Sequence, residues 1–154
     1  METTDTIKLW IAGKPEGKQR ARHGNGRTFT PQKTLNAEAV IVGAWTAAGE
    51  PRLPSLNDKV QLPIKLDLLF LVVRPSGHYN AKGELNVEGE RHPLPETRKP
   101  DVDNAQKLIM DALNKRAYKD DVQVTTSTQR KRWSNVEGIE VTITIDHDEW
   151  DYRR

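Results

Sequence analysis

The sequence predicts a single α+β domain of 154 residues, a small mixed β-sheet of about four strands with two main helices. Three observations carry that expectation. Apolar residues alternate with period two at Ile7, Leu9 and Ile11, and again at every even position from Val60 to Phe70. They recur at helical spacing from Ala105 to Leu113. No internal repeat and no second apolar cluster divides the chain, and its length suits one core.

The first strand covers the Ile7–Ile11 alternation. Residues 13–28 (GKPEGKQRARHGNGRT) break every period with glycine, proline and charge, so they read as a basic loop or flexible arm. Thr30-Pro31 reads as a helix start, threonine at the N-cap and proline at the first helical position. That helix runs to about Ala48, with Leu35, Val40, Val42 and Trp45 among its apolar residues, and Gly49-Glu50-Pro51 ends it. The next strand runs from Val60 to Phe70, with an extension through Val72-Val73, and Pro63 marks an edge or a bulge near its start. Residues 74–98 are polar and aperiodic, a functional loop or a partly disordered one. The second helix covers about 104–114, on a stripe of Ala105, Leu108, Ile109, Ala112 and Leu113. Val122–Trp133 and Ile139–Ile145 complete the sheet across a polar turn at Ser134-Asn135.

No cysteine is present, which excludes disulfides, thiolate zinc sites and cysteine nucleophiles and fits a reducing, cytoplasmic setting. No apolar run is long enough to span a membrane, and the first residues lack a basic-then-apolar signal pattern. There is no glycine-rich phosphate loop of the NTPase kind, and no serine–histidine–acid set has supporting context. The formal net charge is only +2, so its distribution is what informs. Lys14, Lys18, Arg20, Arg22, Arg27 and Lys33 face a single acid, Glu16, over one short segment, and Arg130-Lys131-Arg132 forms a second cluster. Segregation of this kind is the footprint of a polyanion-binding face.

The stretch KPDVDNAQKLIMDALNKRAYKDD (99–121) puts carboxylates where such a protein should avoid them. Pro100 favours an extended entry, in which Asp101 and Asp103 share a side. Asp103-Asn104-Ala105-Gln106 also resembles a capping box, which crowds both acids at the positive end of the helix. Lys107 follows Asp103 by four residues, off the apolar stripe, and Asp111 continues that face. The loop 114–120 is long enough for Asp121 to return to the helix start, though nothing in the spacing requires it. Two or three convergent carboxylates suit Mg2+, a hard ion that keeps several waters. Alternatively, Asp103 only caps, Lys107 pairs with Asp103 or Asp111, and Asp120-Asp121 forms a turn.

KPDVDNAQKLIMDAL followed by KDDVQV resembles the signature of the RusA family of Holliday-junction resolvases. The spaced cations Lys18, Arg20 and Arg22 after Pro15, and the Thr28-Phe29-Thr30-Pro31 entry to the first helix, are similar to the family's as well. The resemblance covers about Trp10 to Ile145. It implies a RusA-like fold and a homodimer that binds four-way junction DNA and cuts it symmetrically with Mg2+, for which Mn2+ can substitute. Asp101, Asp103 and Asp121 would hold the metal and Lys107 would be catalytic, with Asp111 and Asp120 in support. Lys14, Lys18, Arg20, Arg22 and Arg27 would contact DNA. The 74–98 loop is longer than the family pattern requires, and the acidic tail from Asp146 lies outside it.

Plainer roles fit the remaining conspicuous residues. Trp10, Trp45 and Trp133 are expected as core or interface anchors, whereas Phe29 beside the basic loop is the better candidate for contact with bases or sugars. Asp146-His147-Asp148 reads as a solvated tail, and His23, His78 and His92 are given no catalytic role. On a strand, Arg130-Lys131-Arg132 can offer only one face to DNA.

Overall fold

A computed structural model describes residues 3–14, 22–24, 26–29, 31–55, 62–96 and 101–148. Four strands form the main sheet: β1 (Thr6–Ala12), β4 (Ile64–Val73), β5 (Val124–Ser134) and β6 (Gly138–Ile145), in the order β1-β6-β4-β5. β6 runs antiparallel to both β1 and β4, whereas β4 and β5 are parallel, so the sheet is mixed. The parallel pair needs a crossover, and the 74–96 segment and the second long helix supply it. Period-two burial follows the sequence pattern. Ile7, Leu9 and Ile11 are buried on β1, and Ile64, Leu66, Leu68, Phe70 and Val72 on β4. The register shift at Ile64/Lys65 directly follows Pro63, which has no N–H to give to a ladder.

The inner face is covered by α1 (Gln32–Ala47) and α3 (Val102–Leu113), which also pack on each other. Ile41 and Trp45 of α1 meet Leu108, Ile109, Ala112 and Leu113 of α3 in one core with the strands. The Trp45 indole N–H donates to Pro51 O at 2.8 Å, which fixes the chain just beyond the helix. One expectation for α1 is corrected. Pro31 is the N-cap, with no side-chain capping bond, and Gln32 opens the helix, while Thr30 lies outside the described residues. Leu35 and Val40 are exposed and Thr34 is buried in their place, because Thr34, Ile41 and Trp45 share the inward face set by i, i+7 and i+11 spacing. Gly43 sits exposed within a continuous helix.

Two segments read as loops contain structure. Within 13–28, β2 (Arg22–Gly24) and β3 (Arg27–Phe29) form a small antiparallel hairpin. Gly26 turns it with φ of 73°, a conformation glycine adopts without a Cβ penalty. The 74–96 segment folds as a flap. A 3-10 turn (Ser76–His78) leads to α2 (Val87–Arg91), whose N-cap Asn86 accepts from Gly89 N at 2.9 Å. The flap is braced on β5 by aromatic and cationic contacts. Trp133 donates its indole N–H to His92 O at 2.8 Å, His78 stands edge-on to the Trp133 ring, and Arg74 lies over that ring at 4.9 Å. His78 and His92 stack at 5.6 Å. These contacts hold the flap against the sheet. Gly89 is forced by this packing, since a Cβ there would overlap His78 O and press on Leu85.

Candidate active site

The site is built on α3, and its first residue is a cap. The Asp101 carboxylate accepts from Asp103 N at 3.0 Å and Asn104 N at 3.4 Å, so Asp101 rather than Asp103 starts the helix. The capping-box pattern placed the cap at Asp103, two residues too late. Val102, partly buried against the core, explains why the helix begins early enough to include it. Asp103 thus lies in the first helical turn, not on an extended piece. The two carboxylates still meet at the same end, both exposed, where the helix dipole favours negative charge.

Lys107 stands one turn beyond Asp103 on an exposed face of α3. Neither Lys107 nor Asp103 has an ion-pair partner among the described residues, so the pairing alternative does not hold. Asp111 continues this face and is half-buried with partners of its own.

Asp121 occupies the opposite end. After Leu113 the chain reverses at once: Arg116 N and Ala117 N both return to Leu113 O at 3.0 Å, and Lys115 takes φ of 63°. Asn114 then accepts from Asp121 N at 3.1 Å, pinning Asp121 beside the C-terminus of α3. From Asp103 to Asn114 the helix rise amounts to about 16 Å. Asp121 therefore does not join Asp101 and Asp103 within one chain. Its neighbours are Asp120 and Asp111. Burial, a hydrogen bond to Asp120, and the charges of Asp120 and Asp111 together raise the Asp121 pKa above the ordinary aspartate value. Asp120 holds the turn itself: its N–H donates to Gln123 Oε1 at 2.9 Å, its carboxylate accepts from Val122 N at 3.1 Å, and Gln123 reaches Leu62 O at 3.0 Å. Tyr118 closes the underside by donating to Met110 O at 3.0 Å, and burial with the nearby Asp121 charge raises its pKa.

The donor set is chemically suited to a hard divalent cation, in two halves. Asp101 and Asp103 present carboxylate oxygens at one end of α3, and Asp121 does so at the other, in a cluster whose mutual repulsion a cation would relieve. Among the described residues, no three acidic or imidazole groups of one chain converge as a metal cage.

Of the expected DNA contacts, Lys14 is exposed at the end of β1, while Lys18 and Arg20 lie outside the described residues. Arg22 and Arg27 are carried by the paired strands β2 and β3. On β5, an edge strand, Arg130 and Arg132 are exposed on the open face and Lys131 is half-buried on the other. Asn114, the residue that places Asp121, escaped the sequence reading. Its position just after the last apolar helical residue was the available signal.

A family model described as "Endodeoxyribonuclease RusA" matches residues 12–144. The chain belongs to the RusA endodeoxyribonuclease family. The match spans the whole of α3 and the Asp120-Asp121 turn, so it includes both acidic ends. A relative in Bacillus subtilis (strain 168), the uncharacterized protein YqaN, is 30% identical over 143 residues, which is 90% of this chain and 96% of that protein. This RusA-family chain is thus a nuclease by descent, and no helix among its described residues is long and apolar enough to cross a membrane.

Proposed function

We propose that this chain is a Mg2+-dependent, structure-selective endonuclease that resolves four-way DNA junctions by paired symmetric nicks, acting as a homodimer. The observation that carries the proposal is the division of the acidic signature between the two ends of α3, with Lys107 exposed between them. A full three-carboxylate site then requires two copies, Asp101 and Asp103 from one and Asp121 from the other. Two such sites related by a twofold axis match a substrate that must be cut twice in equivalent places.

When bound, Mg2+ supplies Lewis-acid stabilisation of the phosphodiester oxygens and acidifies water at the site. The chain supplies placement. Asp101 is held by its capping bonds, so its second oxygen has a fixed direction. Asp103 is fixed by the helix, and Asp121 by Asn114. The Lys107 ammonium, on the same face as Asp103, contacts a phosphate oxygen and stabilises charge that develops there. The basic segment from Lys14 to Arg27 binds backbone phosphates and positions the junction.

The test is a nicking assay on a labelled synthetic four-way junction with Mg2+, Mn2+ or EDTA. Symmetric nicks that need the cation are expected. Junction binding with no cleavage in either cation would contradict the proposal and select a junction-binding module without catalysis. Comparable cutting of flaps and forks would instead indicate a less selective branched-DNA nuclease.

A further inference from the structure

A cleft of about 490 Å³ opens at the Asp120 end of α3, between the Arg52–Ser55 segment and the Lys115–Asp120 turn. Leu53 N donates to Ala117 O at 2.8 Å and fastens the two walls together. Arg52, Lys115, Arg116 and Lys119 all line it, against a single lining acid, Asp120. Arg52, Lys115 and Arg116 have no ion-pair partner among the described residues. Arg116 spends one N–H on Ala112 O at 3.1 Å. Arg52 Nε is buried without a hydrogen-bond partner among the described residues, and its Nη2 only grazes Lys115 O at 3.5 Å. Lys115 holds a left-handed backbone that glycine would adopt more easily. Several cations lining one cleft, three of them without an ion-pair partner among the described residues and facing a single carboxylate, give it the field of an anion seat, in which the Arg52 Nη groups rather than its buried Nε would meet the ligand.

We propose that this cleft binds a backbone phosphate of the DNA strand that passes the Asp121 end of α3, a contact separate from the basic loop. The inference rests on the nuclease reading. Capping of the helix C-terminus accounts for Arg116 but not for Arg52 or Lys115, whose charged groups answer no carbonyl or carboxylate closely. A phosphate oxyanion, with several acceptor oxygens, satisfies the guanidinium and the ammonium together. It would also lie next to the acidic turn, where a nuclease must bring its substrate.

Two substitutions remove charge while respecting the fold. Lys115→Gly suits the φ of 63°, and Arg52→Met keeps the aliphatic stem while removing the guanidinium. Binding of the full chain to a fluorescent four-way junction would be followed by anisotropy from low to high salt, in EDTA so that no strand is cut. Each variant is expected to bind more weakly and to flatten the slope of log K against log salt by about 0.9 per lost phosphate contact. Slopes equal to the wild-type value in both variants, with melting temperatures intact, would overturn the cleft assignment and leave the nuclease reading standing. A wild-type chain that binds no junction at all would overturn both.

Discussion

Asp101 carries two roles that a pair of substitutions should separate. As the N-cap of α3 it accepts one good hydrogen bond, at 3.0 Å from Asp103 N, and one long one, at 3.4 Å from Asn104 N. As a proposed metal ligand it contributes charge. Asparagine caps as well as aspartate but lacks the charge, whereas alanine lacks both. Loss of a cap costs about 1 kcal/mol, and loss of the charge–dipole attraction about 0.3–1 kcal/mol at an exposed terminus. The second amount is shared by both variants and partly offset by relief of repulsion from Asp103. Asp101→Ala should therefore be about 1 kcal/mol less stable than Asp101→Asn, or about 2–4 °C in melting temperature for a domain of this size. Cutting should fall in both by about 10²–10³-fold, the scale expected when one group that stabilises transition-state charge is removed. Thermal melts without added metal and junction nicking in Mg2+ read the two effects independently. Equal melting temperatures for the two variants would refute the capping assignment. Near-normal nicking by Asp101→Asn would refute the metal role.

The flap gives two further expectations. Gly89→Ala drives a Cβ into His78 O, so it should cost about 1–3 kcal/mol and raise hydrogen exchange across Ser76–Arg91, and unchanged exchange there would contradict the packing described. His92 is bridged by Glu96 at 2.8 Å and Glu88 at 3.1 Å, and these bonds raise its pKa above 6.5. The stabilisation is then fully present below that ordinary value and fades as pH climbs through the raised one. Exchange protection of the flap, corrected for intrinsic rates, should be greater at pH 6 than at pH 8, and His92→Gln should remove the difference. Protection that grew with pH in the wild type would contradict the ion-pair account.

Some of this was legible from residue order and some was not. The strands were, because burial of a single sheet face imposes a period of two that Ile7–Ile11 and Ile64–Phe70 display directly. The stripe of α3 was equally plain. Its start was not, since the capping-box pattern pointed to Asp103, whereas Asp101 is the cap and Val102, packed against the core, already belongs to the helix. In α1 the apolar residues did not by themselves define the inward face, which includes Thr34 and leaves Leu35 and Val40 exposed. The hairpin β2–β3 was hidden under a high charge density, although Gly24-Asn25-Gly26 is a turn signal. The flap had no periodicity to show, because capping at Asn86 and stacking around Trp133 hold it instead. The acidic residues themselves were all visible. Their separation was not, since a seven-residue connection can run either way and only the tight reversal at Leu113–Ala117 fixes its direction.

In the proposed dimer a working site takes Asp101 and Asp103 from one copy and Asp121 from the other. Mixing two inactive variants, Asp103→Asn and Asp121→Asn, tests it directly. In mixed dimers one site receives both substitutions and the other receives neither, so nicking of a labelled junction should reappear at up to about half the sites. Each variant alone should remain inactive. If subunit exchange is verified and the mixture stays as inactive as its components, the three aspartates do not form a shared site and the account fails.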